Sequence, residues 1–292
     1  MISNKTNCPK CKGKNTKKRG QRQTENRGKI QRYFCKDCLF SFVKDDGFYR
    51  MRNAPQKVTL CLDLFYRGIS TRKVQEHLRA FYPHNADHRT ILRWIVKYAQ
   101  MIHNFTDKLK INCGEEIQID EMEFKTKGKR SWLVDCIDTE TRYMIGSEYS
   151  KGRSKKELKS VLKSAKEKTG DQVKIVTSDG FYAYRKVVKS VFGYNNKLGK
   201  YNVDHNIVTQ LKNEGFNHKI ERLHNNIRAR TKIFRGFKSV HSANAIMLGY
   251  QIFYNFIREH QALGKCPYEL AVPELKLGLN KWLDLIQISK KQ

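Results

Sequence analysis

The chain has 292 residues, with 58 Lys and Arg against 28 Asp and Glu, a net charge of +30 and a sequence pI near 9.9. That excess favours a polyanionic partner, while 39% hydrophobic and 11% aromatic residues are enough for cored domains and exclude a disordered basic tail. No run approaches the roughly 18 apolar residues of a membrane span, and Met1-Ile-Ser-Asn-Lys-Thr-Asn has no signal-peptide core, so a cytoplasmic protein of two or three domains with reduced thiols is expected.

The first expected module, residues 1–50, carries Cys8-Pro-Lys-Cys11 and Cys35-Lys-Asp-Cys38, two CxxC pairs separated by 23 residues. Each CxxC turn presents two thiolates to one metal, and two turns complete the tetrahedral Cys₄ shell of a structural zinc ribbon. The long spacer predicts an extended hairpin bearing Lys17, Lys18, Arg19, Arg22 and Arg27, and the scarcity of apolar residues beyond Tyr33, Phe34, Phe40 and Phe42 leaves folding dependent on Zn²⁺. Cys61, Cys113, Cys136 and Cys266 stand singly and are expected to be buried thiols.

From Pro55 the pattern is helical, with Val58, Leu62 and Phe65 on one face and a stop at Arg67-Gly68. Ser70 is an N-cap for a second helix with Val74, Leu78 and Phe81 inward, ending before Pro83. A third runs from about Asp87 through Ile102, burying Ile91, Trp94, Ile95, Tyr98 and Ile102 and leaving His88, Arg89, Arg93 and Lys97 outside. Three short helices with a basic last one, over 53–105, fit a helix-turn-helix domain that binds double-stranded DNA.

Residues 115–123, 131–138 and 142–149 read as an antiparallel meander, followed by the capping box Ser154-Lys-Lys-Glu157 opening a helix that stops near Gly170. A fourth strand, 172–178, delivers Asp179, and the strand, helix, strand passage predicts parallel pairing in a mixed sheet. A helix over 217–233 has Ile220, Leu223 and Ile227 as its core stripe and Glu221, His224 and Arg228 on an adjacent strip. Asp120 and Asp179 on strands and Glu221 on a helix are the acids that could converge on two Mg²⁺ ions. Glu121 points to the opposite strand face, Glu123 is a surface acid, Asp138 belongs to a turn, and Asp204 and His205 receive no assignment.

Several of these segments resemble insertion-sequence DDE transposases. Gly68-Ile-Ser-Thr-Arg72-Lys73-Val74 and Thr90-Ile-Leu-Arg93-Trp94 are similar to that family's helix-turn-helix. Asn217-His-Lys-Ile-Glu221-Arg-Leu-His224-Asn-Asn-Ile-Arg228 looks like its glutamate helix, and Gly236-Phe-Lys-Ser239 with Tyr254-Asn-Phe-Ile-Arg-Glu-His260-Gln-Ala-Leu263 and Pro267-Tyr-Glu269 like its closing segment. The resemblance implies a ribonuclease-H-like α/β domain over 112–275, a mixed five-stranded sheet with flanking helices, leaving 276–292 as a C-terminal tail. It implies Asp120, Asp179 and Glu221 as catalytic ligands of two Mg²⁺ (or Mn²⁺) ions. DNA contacts would come from Arg228, His224, Arg72, Lys73, Arg89, Arg93 and Lys97. The implied activity is cutting at element ends and joining of 3′-hydroxyls to target DNA, by a homodimer or higher oligomer associated with the nucleoid. A non-catalytic DNA-binding regulator and a metal-dependent endonuclease are the competing readings.

Overall fold

The structure, a computed structural model, describes residues 6–25, 27–49, 51–82, 86–208, 217–234 and 236–291. The N-terminal module is an antiparallel sheet of β1 (Thr16–Thr24), β2 (Gly28–Cys35) and β3 (Ser41–Val43), ordered β1-β2-β3. The long spacer is the expected hairpin, kinked where the register shifts between Lys18 and Gln21. Cys8, Cys35 and Phe42 form a small core of their own.

Three helices follow: α1 (Pro55–Tyr66), α2 (Thr71–Phe81) and α3 (His88–Thr106). Ser70 caps α2 by accepting from the Lys73 amide, and Asp87 caps α3 by accepting from Arg89, so both start where the capping residues stand. Gly68, at φ +116°, turns the chain between α1 and α2. Pro83, expected to close the second helix, lies outside the described residues. The inward residues Val58, Leu62, Phe65, Val74, Leu78, Ile91, Ile95 and Tyr98 are buried, whereas Phe81 is 68% exposed. The helix carrying Phe81 ends on its outer side, so the sequence pattern overextends the apolar face by one turn.

The main sheet begins with β4 (Glu116–Thr126), β5 (Lys129–Asp138) and β6 (Met144–Ser150), an antiparallel meander. Its first connection is tighter than expected: Lys127 and Gly128, at φ +50° and +76°, make a two-residue turn and both strands run on to it. Helix α4 (Lys155–Thr169) starts at the capping box of Ser154 and Glu157 and stops at Gly170. Then come β7 (Ile175–Asp179), α5 (Ala183–Phe192), a small ribbon of β8 (Tyr194–Asn195) and β9 (Lys200–Tyr201), and β10 (Asp204–Val208). The region of Asp204 and His205 is thus the fifth strand, parallel to β7. The order β10-β7-β4-β5-β6, with three antiparallel strands and two parallel ones, is the ribonuclease-H-like sheet.

Helix α6 (His218–Thr231) crosses β4 and β5 and leads through a 3₁₀ turn to α7 (Val240–Ile252), which ends in a π-helical turn at Phe253–Ile257. Asn255 fastens that turn to the edge of β6, accepting from the Met144 amide and donating to its carbonyl. After α8 (Tyr268–Ala271) comes α9 (Lys281–Lys291). Residues 276–292, expected as a tail, therefore carry a helix: Trp282, Leu285 and Ile286 recur at helical spacing and are buried against α1 and α3. Helix α3 also packs on α7, and one continuous apolar core runs from Phe48 to Ile286. The expected boundary near 105–112 is a change of architecture, with no gap in packing.

Candidate active site

Strands β4 and β7 pair only as far as Gln118 and Thr177. Beyond that rung they part, and Asp120, Glu121 and Asp179 converge there, each with one carboxylate oxygen within 4.8 Å of the others'. Asp179 stands at the end of β7, where its carboxylate accepts from the Phe181 amide at 2.9 Å. Asp120 accepts from the Glu121 amide at 2.8 Å.

Asp120 pairs in register with Asp135 on β5, which pairs with Ser147 on β6, so the three side chains share one sheet face. Helix α6 lies over that face, fixed at its start by the Ile220 amide donating to the Gln118 side chain. Its His224 is buried, with Nδ1 3.4 Å from Asp120 and Nε2 3.3 Å from Asp135. Burial alone would push the imidazole pKa down; the two carboxylates overrule it and hold it up at about 9. His224 is therefore an imidazolium bridging two acids, and the expected contact to a DNA phosphate is corrected: a ring buried between carboxylates has no access to one.

Glu121 leaves the other face of β4, as alternation requires, yet its carboxylate reaches the same opening. It accepts from Arg153 Nη1 and from the Tyr184 hydroxyl, each at 2.5 Å. The Arg153 guanidinium is sandwiched between Trp132 and Phe181, 4.2 and 4.6 Å from their ring centres. Burial raises the Glu121 pKa first, with the Tyr184 bond opposing and the Asp179 charge adding; burial and the Asp120 charge raise Asp179 against its Phe181 bond. Crowded carboxylates with raised pKa values form a site where a divalent cation is electrostatically favoured, and the donor set is oxygen only.

Asp120 and Asp179 are thus brought together as expected. Glu221 is exposed on α6, one turn before His224, outside the 4.8 Å cluster. Asp135 was missed by sequence reasoning, although an acid inside the apolar run Trp132-Leu-Val-Asp135-Cys-Ile is a signal that a partner waits for it. Glu123 pairs with Arg130 at the surface and Asp138 caps the turn before β6, accepting from the Gly114 and Thr141 amides. Arg72, Lys73, Arg89, Arg93, Lys97 and Arg228 are all exposed.

A second metal-type cluster joins Cys8, Cys11, Cys35 and Cys38. Its sulfurs approach to 3.6 Å (Cys8 to Cys38) and 3.5 Å (Cys11 to Cys35), close to the edge of about 3.8 Å of a tetrahedron with metal–sulfur bonds of about 2.3 Å. Each CxxC turn is followed by a left-handed residue, Lys12 at φ 60° and Leu39 at φ 58°, so the two halves of the site share one backbone design.

The family model for the DDE domain of IS240-type transposases matches residues 114–260, half of the chain. Over 84 residues the chain is 32% identical to the transposase for insertion sequence element IS257 in transposon Tn4003 of Staphylococcus aureus. That match takes in 28% of this chain and 37% of the relative, so little more than a third of the relative's length is spanned. Similar solved structures include the simian T-cell lymphotropic virus intasome in complex with PP2A regulatory subunit B56 gamma, at 13% identity and TM-score 0.41 over 73% of each chain. Another is the HTLV-2 integrase catalytic core domain in complex with magnesium, at 14% identity and TM-score 0.39 over 55% of this chain and 98% of that one.

Proposed function

This chain belongs to the DDE-domain family of IS240-type transposases, and on that premise we propose that it binds the ends of an insertion sequence, cuts them and joins the freed 3′-hydroxyls to target DNA. The observation that carries the reading is the meeting of Asp120 and Asp179 where β4 and β7 part. Asp120, Asp179 and Glu221 are the proposed ligands of two Mg²⁺ or Mn²⁺ ions, which when bound supply Lewis acidity to the attacking and leaving oxygens of in-line phosphoryl transfer. The oxygen-only donor set and the raised pKa values of Asp179 and Glu121 support a hard divalent cation.

The protein's own groups prepare that site. His224 holds Asp120 from behind, while Tyr184 and Arg153 hold Glu121 across the opening. Cleavage hydrolyses a phosphodiester to a 3′-hydroxyl and a 5′-phosphate monoester; in joining, that 3′-hydroxyl attacks a target phosphodiester and the target's own 3′-oxygen leaves as a hydroxyl, so both steps are displacements at phosphorus that ask the same placement of the acids. No side-chain nucleophile enters either balance. Exposed Arg228, with Arg72, Lys73, Arg89, Arg93 and Lys97 on the helix-turn-helix, is proposed to bind duplex DNA, and the four cysteines to hold a structural Zn²⁺. Holding two element ends at once asks for a homodimer or larger assembly.

The test is Mg²⁺-dependent joining of a labelled end duplex to plasmid. Asp120→Asn and Asp179→Asn should keep DNA binding and abolish cleavage and joining, because an amide supplies no anionic ligand. Wild-type joining by either variant would remove these acids from the chemistry.

A further inference from the structure

A cleft of about 1170 Å³ lies between the helix-turn-helix and the catalytic sheet. One wall is the turn of Gly68 and Ser70 with the first turn of α2, bearing Arg72 and Lys73; the other is the β4–β5 hairpin and the segment after α6, with Lys125, Lys127, Lys232 and Lys238. All six cations are exposed, and no acidic side chain lines the cleft among the described residues.

The cleft is built. The hairpin tip is zipped to the later segment by the Lys127 amide donating to Phe237 at 3.0 Å and the Phe237 amide donating to Lys125 at 3.3 Å. This fixes Lys125, Lys127 and Lys238 along one rim. Lys127 occupies a left-handed position, where asparagine or glycine is the less strained choice, so the rim keeps a cation at a conformational cost of about 1 kcal/mol. The two walls are locked to each other by Arg230 of α6. Its buried guanidinium lies 4.6 Å from the Phe65 ring of α1 and 4.5 Å from Phe234, and it donates to the Phe65 carbonyl.

We propose that this cleft is a second DNA site, which grips the sugar-phosphate backbone of the element end between the recognition helices and the catalytic acids. The ligand follows from the chemistry: a polyanion whose charges recur about every 1.7 Å along the duplex axis matches a cleft lined by cations on both walls. One wall already belongs to the module proposed to read DNA. The inference rests on the transposase reading for the identity of the DNA, but backbone contacts carry no sequence information, so it can be measured on any duplex.

The experiment uses the full chain and a duplex of about 40 base pairs of arbitrary sequence, with affinity measured by anisotropy across a salt series. Replacing Lys125, Lys127, Lys232 and Lys238 together by Gln should reduce the slope of log affinity against log salt by about 3 to 4, and the corresponding Arg variants should restore it. A control replaces Lys155, Lys159, Lys163 and Lys186, exposed on α4 and α5, by Gln and should keep the wild-type slope. An unchanged slope in the cleft variant, or an equal loss in the control, would overturn the proposal. Failure of the wild-type chain to join an end duplex would count against the transposase reading and leave this slope comparison intact.

Discussion

The imidazole of His224 stands 3.3 Å from the carboxylate of Asp135, a fully buried acid, and 3.4 Å from that of Asp120 on its other side. The His224 Nε2 and Asp135 Oδ2 have no aligned hydrogen bond, so this contact is a charge pair, and because it is buried neither partner can turn to water if the other is lost. With the Asp120 contact on the other side of the ring, it couples the helix bearing Glu221 to both β4 and β5. Removing either partner strands a buried charge.

Asp135→Ala and His224→Ala should each therefore lower unfolding free energy by about 3 kcal/mol, the range for breaking a buried pair. Denaturant titration of each, and of the double variant, checks this. A double variant losing as much as both single losses added would show that the two residues are not coupled.

Chelation should unfold the N-terminal module alone. With Cys8, Cys35 and Phe42, flanked by Tyr33 and Cys38, as the core among its described residues, the module lacks the apolar burial to fold unaided. Elemental analysis should find one zinc per chain, and Cys35→Ser with Cys38→Ser should release it and expose β1 and β2 to protease while α1 through α9 stay resistant. Full protection of β1 and β2 in a metal-free chain would refute a structural role.

Arg230 gives a third expectation. Arg230→Ala removes the guanidinium that contacts both rings of the stacked pair Phe65 and Phe234 and should cost about 2 kcal/mol through the lost cation–π contacts and a void. It should also weaken end binding, because the cleft walls lose their common brace. Thermal melting and the salt series of the full chain read the two effects separately.

Much of this fold was legible because local chemistry agreed with tertiary demand. Ser70, Asp87 and the pair Ser154 and Glu157 mark helix starts that the structure keeps. The stripe of Ile220, Leu223 and Ile227 is buried as read. What escaped depended on partners distant in sequence. His224 sits on a polar strip, and only the register of Asp120 with Asp135 turns that position into a buried bridge. Glu121 faces away from Asp120, and only the parting of β4 from β7 lets both reach one opening. The last helix looked like a tail because its stripe of Trp282, Leu285 and Ile286 is short and needs α1 and α3 to cover it.

Acid should destabilise the fold through His103, half-buried on α3 beside Asp107 and Lys168. Burial lowers its pKa, Asp107 raises it, and Lys168 adds to the lowering. With the folded value below the ordinary one of about 6.5, the unfolded chain binds the proton first, so stability falls as pH drops through that window. His103→Gln should flatten the change in melting temperature between about pH 7.5 and about pH 5.5. A variant with the wild-type slope would place the pH dependence elsewhere.

The third acid is the sharpest question the site poses, since Glu121 is inside the cluster and Glu221 outside it. Glu121 has both oxygens engaged, one by Arg153 and one by Tyr184, so its charge is already spoken for. Glu221 is exposed one helical turn from His224, on the helix that His224 holds against Asp120. Glu221→Gln should therefore lower joining by about a hundredfold or more with folding and DNA binding unchanged, the scale of losing one transition-state contact. Glu121→Gln should lower stability, because it weakens the Arg153 and Tyr184 contacts, and should lower joining by about ten- to a hundredfold as a supporting group. Joining rates and denaturant midpoints of the two variants decide between them. Wild-type joining in Glu221→Gln beside a fully inactive but stable Glu121→Gln would transfer the third ligand to Glu121 and make Arg153 and Tyr184 the groups that orient it.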